Sequence, residues 1–270
     1  MPDTTIVITG ATDGLGRALA THLAADPSIR LILHGRSRHR LDALRAEFTA
    51  LPARIDTVLA DLSELAQVRG LAEQISSLTD HISVLVNNAG IGAGEPDGTT
   101  RQLTIDGNEL RFAVNYLAPF ALTQRLLPLL DAGAPARIVN VASIGQSPID
   151  FDDLTLRHGY SGQRAYGQSK LAIVTYSLTL AQALDPSRVT VNSLHPATYM
   201  PTKMVLDSVG YSIDSLESGL IATLRLVTDP TLAGISGRFY DGTTPTRAHA
   251  NAHRADIQRR LWEISEQLTD

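Results

Sequence analysis

Residues 5–16 read TIVITGATDGLG, and the fold of the chain follows from how this run divides. Thr5–Thr9 is an apolar, β-branched run of strand length. From Leu15 onward, Ala18, Leu19 and Leu23 recur at helical spacing. Between the two lies the turn Gly10-Ala-Thr-Asp-Gly-Leu-Gly16. A glycine-rich turn joining a strand to a helix lets backbone N–H groups, at the positive end of the helix, approach phosphate oxygens. An ordinary tight turn does not call for three glycines in seven residues, as found here.

The same alternation continues along the chain. Further apolar runs fall at Leu31–His34, Asp56–Ala60, Ser83–Val86, Arg137–Ala142, Val189–Leu194 and Arg238–Tyr240. Amphipathic stretches separate them, marked by Leu41, Leu44 and Phe48, by Leu65, Val68, Ala72 and Ile75, and by Leu110, Val114, Leu117 and Ala121. Strands that are apolar on both faces and alternate with helices predict an α/β fold. The expected form is a doubly wound, Rossmann-type parallel sheet of seven strands flanked by helices. No repeat, low-complexity tract or linker divides the chain. Residues 1–270 are therefore expected to form a single domain ending in a tail helix over about 248–268.

Composition narrows the function classes. Hydrophobic content of 43% and charged content of 19% match a soluble globular domain. Net charge is −5 with no block of like charges, which argues against nucleic acid as a partner. With no cysteine, neither a disulfide nor a thiolate metal site can form. The turn carboxylates Asp150, Asp152 and Asp153 and the pair His249 and His253 read as solvated side chains, so no metal is expected. No run approaches the ~20 apolar residues of a membrane span. The expectation is a cytoplasmic protein without membrane contact.

At the second strand's end stands His34-Gly-Arg-Ser37, with Arg36 twenty residues beyond Gly16. An acidic residue here binds the ribose hydroxyls of NAD, whereas arginine accommodates the 2′-phosphate of NADP. Arg36 therefore favours NADP(H), with Ser37 beside it and Arg40 as a second contact. Asp13, inside the glycine turn, would oppose the phosphate if its carboxylate pointed inward. Asp61-Leu62 after the third strand could accept a bond from an adenine amino group. Asn87-Asn88-Ala89-Gly90 after the fourth lets backbone pass close to a ribose. Both are also good strand-ending turns.

Ile138–Thr175 carries the reactive side chains. Ser143 closes an apolar strand, and Tyr166 and Lys170 stand four apart at the start of a helical stripe of Leu171, Val174 and Leu178. A unit charge at about 4 Å from a phenol in a partly desolvated site is worth about 4 kcal/mol, or roughly three pKa units. That would bring Tyr166 toward neutrality as an acid or base, with Ser143 orienting an oxygen beside it. Tyr199 and Lys203 have the same spacing, but Pro201 between them excludes a shared helix face.

TGATDGLG, Asp61, NNAG, Asn115, Ser143 and YGQSK, in this order and on these elements, resemble the short-chain dehydrogenase/reductase family from Ile6 to about Tyr240. The resemblance implies strand order 3-2-1-4-5-6-7, a nicotinamide cofactor and a catalytic group of Asn115, Ser143, Tyr166 and Lys170. It places the cofactor on Thr9, Gly10, Thr12, Asp13, Gly14, Leu15, Gly16, Arg36, Ser37, Arg40, Asp61, Leu62, Asn88, Ala89, Gly90, Tyr166, Lys170 and Pro196. Either Thr198 or Thr202 would meet the carboxamide. Ala197 stands where the family usually has glycine. Pro119 lacks the N–H that would bond the Asn115 carbonyl, which either frees that carbonyl to hold a water or simply kinks the helix.

The long segment 144–164 and the ending RRLWEISEQL are similar to the branch holding retinol dehydrogenases, carbonyl reductases and protochlorophyllide reductase. Two segments are expected to wall the pocket. One is 144–164, with Phe151, Leu154, Leu156 and Tyr160; the other is a lid over about 198–216. The implied function is NADP(H)-dependent interconversion of a carbonyl and an alcohol on a small, fairly hydrophobic substrate. Reduction of a conjugated double bond is a nearby variant, and a non-catalytic NADP-binding regulator is the alternative from another class. The resemblance leaves room for a homodimer or homotetramer formed through the helices that bear Asn115 and Tyr166.

Overall fold

The computed structural model describes residues 4–94 and 97–270; residues 1–3 and 95–96 of the expected domain lie outside the described residues. Its strands are β1 (Thr4–Ile8), β2 (Ile29–Gly35), β3 (Arg54–Leu59), β4 (Val84–Asn87), β5 (Ala136–Val141), β6 (Val189–His195), β7 (Arg238–Asp241) and β8 (Thr244–Thr246). They form one sheet in the order β3-β2-β1-β4-β5-β6-β7-β8. Every pairing is parallel except β7 with β8, which is antiparallel. The expected order is met and an eighth strand is added. β8 holds three exposed residues, Thr244–Thr246, and offers no apolar run by which a sequence reading could find it.

The sheet is covered on both faces. One face packs against α1 (Gly14–Leu23), α2 (Arg38–Phe48) and α8 (Leu216–Thr228), through Leu19, Leu23, Leu44, Phe48, Ala222 and Leu226. The other packs against α3 (Leu65–Leu78), α5 (Ala118–Ala132) and α6 (Gly162–Ala183), through Val68, Ile75, Leu122, Leu126, Leu171 and Val174. The central strands are shielded from water on both sides, which is why β1, β2 and β6 read as continuous apolar runs.

The helix expected over Leu110–Leu127 is built in three parts. A turn, α4 (Leu110–Phe112), leads into a π-helical segment, Ala113–Leu117, and then into α5. At the junction Ala118 N–H reaches the carbonyl of Ala113, five residues back. Pro119 has no N–H to offer Asn115, four residues before it, and the widened ladder absorbs that gap. Asn115 therefore sits inside a π-bulge.

Beneath the site a buried polar network joins β4, β5, α5 and α6. Asn87 Nδ2 donates to Asn140 Oδ1 (2.8 Å) and Thr123 Oγ1 (3.1 Å), and Asn140 Nδ2 donates to Ser177 Oγ (2.8 Å). The segment 144–164 folds onto α6. Gln168 accepts from Asp150 N–H and donates to the carbonyl of Leu154, while Leu156 is fully buried. Phe151 and Leu154 are partly buried and pack against the core. The carboxylates of this segment also have partners. Asp150 pairs with Arg164 at 2.7 Å and Asp152 with Arg260 at 2.7 Å. Asp153 accepts from His158 N–H.

The chain continues into α7 (Lys203–Val209) and ends in α9 (Ala255–Thr269), which starts later than the expected 248. Among the described residues, no helix is long and apolar enough to cross a membrane.

Candidate active site

The glycine turn lies at the C-terminal end of β1, at the point where the strand order reverses direction. Gly10 has φ +66°, and a Cβ there would stand 2.8 Å from Ala89 Cα. A Cβ on Gly16 would collide with the Gly10 carbonyl and the Asn88 amide. The turn can thus lie flat only with glycine at both positions. Thr9 and Asn88 fasten it from beneath. Thr9 Oγ1 donates to Val86 O and accepts from the N–H groups of Asn88 and Ala89 (3.0 Å each). Asn88 Nδ2 donates to the carbonyls of Thr9 (2.9 Å) and Gly10 (3.2 Å). These two side chains, expected on the cofactor, are committed to holding the turn.

Asp13 caps α1, its Oδ1 accepting from Gly14 N–H at 2.8 Å, while its Oδ2 meets Arg40 at 3.3 Å. Arg40, expected as a second phosphate contact, is thus paired with the carboxylate that was the doubtful feature of the turn. Arg36 is exposed and pairs with no carboxylate among the described residues. Ser37 caps α2. Asp61 Oδ1 accepts from Ser63 N–H and Oγ, and Leu62 is buried in the core, so only its backbone can face a ligand. The carboxylate of Asp61 draws on His34, a buried side chain beneath the turn that no motif marked.

Ser143, Tyr166 and Lys170 meet at the ends of β5 and α6. Ser143 lies beside the Tyr166 ring, both side chains standing around Gly145, and its Oγ accepts from Gly145 N–H at 3.0 Å. Gln146 steadies the turn, donating to the Ser143 carbonyl and accepting from His249 N–H. Lys170 Nζ stands 5.6 Å from the centre of the Tyr166 ring and donates to the carbonyl of Val141 at 3.0 Å.

Burial pulls the Lys170 ammonium down to about 8 from its ordinary 10.5. Burial pushes the Tyr166 phenol up, against the smaller lowering by the Ser143 hydroxyl. The expected depression of the phenol is therefore absent in this arrangement. The ammonium is turned onto Val141 rather than onto the phenolic oxygen.

Asn115 clamps the loop after β4. Its Oδ1 accepts from Ile91 N–H (2.8 Å), and its Nδ2 donates to the Ile91 carbonyl (3.0 Å) and to Ser169 Oγ (3.0 Å). A Cβ on Gly90 would stand 3.1 Å from Asn115 Oδ1 and 3.7 Å from Lys170 Nζ. Asn115, Gly90 and Lys170 are neighbours, and the loop bearing Ala89 and Gly90 runs between the glycine turn and the cluster of Ser143, Tyr166 and Lys170.

A model of the short-chain dehydrogenase family matches residues 4–209. The chain belongs to the short-chain dehydrogenase family. It is an oxidoreductase of that family, with relatives along its whole length. It is 33% identical to human retinol dehydrogenase 13, over 99% of this chain and 85% of the relative, and 34% identical to mouse polyprenol dehydrogenase, over 99% and 84%. Among solved structures, a blue fluorescent protein from a metagenomic library, in complex with NADPH, aligns with a TM-score of 0.69 at 26% identity. That alignment covers 89% of this chain and 97% of the other.

In the short-chain dehydrogenase frame, the region after β6 separates the two threonines. Pro196 is buried at the strand's end. Thr198 Oγ1 is engaged with His195 Nε2 at 3.1 Å, and Thr198 N–H donates to Asp214 Oδ2 at 2.6 Å. Thr202 Cγ2 lies 3.1 Å from where a Cβ on Gly14 would stand, directly against the glycine turn. Of the two, Thr202 is the one against the glycine turn. Tyr199 lies outside α7, which starts at Lys203, and has φ +46°, so the second Tyr–Lys pair shares no helix face. Its ring meets Tyr211 edge-on, with centroids 5.9 Å apart.

Sequence reading also missed Arg111, fully buried, which donates to the carbonyls of Gly92, Ala93 and Asp97. It also donates to the Tyr160 hydroxyl at 2.6 Å. Its position within an amphipathic helix gave no sign of burial.

Proposed function

We propose that this short-chain dehydrogenase interconverts a carbonyl and an alcohol with NADP(H), on a small and fairly hydrophobic substrate. The observation that carries the reading is the placement of Ser143 beside the Tyr166 ring, both around Gly145, with Lys170 on the same helix face as Tyr166 and the glycine turn alongside. The residues present fit a dinucleotide. The N–H groups of Leu15 and Gly16 open the first turn of α1, where helix geometry supplies no acceptor. Arg36, at the end of β2, pairs with no carboxylate among the described residues and suits a 2′-phosphate, in keeping with a structural relative solved in complex with NADPH. Asp61, Ala89, Gly90 and Thr202 complete the cradle. When bound, NADPH supplies the hydride.

The chain's own residues supply the rest. Ser143 orients the substrate oxygen, and Tyr166 gives that oxygen its proton. Lys170 lowers the phenol's pKa once its flexible stem swings from Val141 toward the phenolic oxygen. Asn115 fixes the loop that holds Gly90 against Lys170.

Ile144, Tyr199, Leu206, Tyr211 and Ile213 are large apolar side chains left exposed, four of them in 198–216, and they fit an apolar substrate. Two of the relatives are named for retinol and polyprenol, both apolar alcohols. The cytoplasmic location expected from the sequence belongs to the same proposal and is checked by cell fractionation.

The test is an NADPH-oxidation screen over ketones, aldehydes, quinones and enones, run with the wild type and Tyr166→Phe. Turnover of a ketone or aldehyde that disappears in the variant is the expected result. Turnover confined to enones would move the reading to double-bond reduction. No oxidation with any of them would leave a binding protein.

A further inference from the structure

His34 is 2% exposed, at the end of β2 and directly beneath the glycine turn. Its Nδ1 lies 3.2 Å from Gly10 N, whose N–H can only donate, so Nδ1 is the acceptor. Its Nε2 lies 3.1 Å from the carbonyl of Ala60, which can only accept, so Nε2 carries the proton. The two bonds fix the ring as one neutral tautomer. The main chain of His34 adds a third tie, its carbonyl accepting from Ala11 N–H at 2.9 Å. One residue thus binds two consecutive N–H groups of the turn and joins them to the end of β3, where Asp61 begins.

We propose that His34 is a positioning residue for the dinucleotide: its neutral ring splints Gly10, and protonation of the ring releases the turn and weakens NADP(H) binding. The inference rests on the NADP(H) reading given above. Gly10 is held at φ +66°, one of several conformations open to glycine, so the bond from its N–H helps to fix the turn. A protonated imidazole has two donors and no acceptor, so it would face Gly10 N–H with another N–H.

The surrounding charges are few. Arg36 follows β2, Asp13 lies in the turn and Asp61 follows β3; of these, Asp61 bears on the ring's titration. Burial holds His34 below its ordinary 6.5, and the Asp61 carboxylate and the Ala60 carbonyl work against that. The neutral ring is therefore secure near neutrality. The splint is lost as pH falls through the lowered folded value.

Two neutral variants separate the bonds. His34→Asn keeps an acceptor near the Nδ1 position and loses the bond to Ala60. His34→Gln places its amide nearer the Nε2 position and loses the acceptor for Gly10. NADPH fluorescence titration should give a Kd raised about tenfold in the Gln variant and within about threefold of wild type in the Asn variant. Between about pH 7.5 and about pH 5 the wild type should lose affinity more steeply than the Asn variant. Comparing the two proteins cancels the titration of the 2′-phosphate itself.

Hydrogen exchange without nucleotide gives a separate readout. Gly10 N–H should be protected in the wild type and the Asn variant, and unprotected in the Gln variant. Wild-type affinity together with a protected Gly10 in the Gln variant would remove the splint. Equal pH dependence in wild type and Asn variant would remove its proton sensitivity. If the wild type bound no NADPH at all, the functional reading would fail, and Gly10 exchange would still decide the splint.

Discussion

At the scale of single residues, Tyr166 and Lys170 separate what the site does from what it costs. Tyr166→Phe removes only the transferable proton. Turnover should vanish while NADPH affinity stays near wild type, and Tyr199→Phe should retain the chemical step. Most of the wild-type kcat surviving in Tyr166→Phe would overturn the assignment. Lys170 is 6% exposed and its ammonium is held near 8 against an ordinary 10.5. A folded value below the unfolded one means that the unfolded chain binds the proton more tightly. The fold therefore bears the penalty in full below about pH 8 and loses it as pH rises toward about 10.5. A shift of this size corresponds to about 3 kcal/mol. Lys170→Met should inactivate the enzyme yet raise its stability near neutrality by about 1–3 kcal/mol in urea denaturation, the Val141 carbonyl losing its donor in exchange. That gain should shrink as pH rises from about 8 toward about 10.5, and a Lys170→Met protein less stable than wild type at neutral pH would refute the argument. Arg36→Ala should erode a preference for NADPH over NADH of about ten- to a hundredfold, mainly through KM. An unchanged cofactor ratio would show that the phosphate is held elsewhere.

At the scale of elements, residue spacing revealed whatever the backbone itself requires. Gly10 and Gly16 were legible because only glycine fits where a Cβ would strike Ala89 or the Gly10 carbonyl. Tyr166-Gly-Gln-Ser-Lys170 was legible as a face, and the structure gives the intervening residues their own tasks. Gly167 lets Ser147 pack close, Gln168 grips Asp150 and Leu154, and Ser169 accepts from Asn115. What stayed hidden depends on tertiary neighbours. The ring of His34 has meaning only with Gly10 on one side and Ala60 on the other. The segment after β6 is likewise an element-scale device. Thr198 and Tyr199 are tied to Ile213 and Asp214 by three bonds: Ile213 N–H to Tyr199 O (3.0 Å), Asp214 N–H to Thr198 O (3.0 Å), and Thr198 N–H to Asp214 Oδ2 (2.6 Å). The stretch between them, with α7, is fixed at its base while Leu206, Tyr211 and Ile213 face solvent. We propose that this stretch acts as a lid. Backbone amides of 203–210 should exchange faster than those of the base and slow markedly with NADPH and a turnover-competent substrate bound. Equal exchange with and without ligand would remove the lid.

At the scale of the whole molecule, the C-terminal helix decides which faces remain for a partner. The family resemblance implies pairing through the helices bearing Asn115 and Tyr166, which here are α5 with its π-bulge and α6. α9 lies across both. Trp262 packs its indole on Phe120 (centroids 5.5 Å apart, edge-on) and on Tyr176 (5.9 Å). Leu261 is buried, and Ser265 hydrogen-bonds Tyr116, which is itself fully buried. Arg260 reaches back to Asp152 and stacks its guanidinium 4.8 Å from the Phe151 ring, so α9 also fastens the 144–164 segment. A second chain could use this face only by displacing an aromatic cluster whose edge-on pairs each contribute about 0.5–1.5 kcal/mol beyond their area. The expectation is that the enzyme does not assemble through α5 and α6. Sedimentation across a wide concentration range, together with hydrogen exchange of those two helices, measures it: their protection should not change with concentration. A variant lacking residues 255–270 uncovers Phe120 and Tyr176 and should self-associate. A full-length dimer whose α5 and α6 amides became exposed on dilution would show that α9 moves aside, and the covering argument would fall.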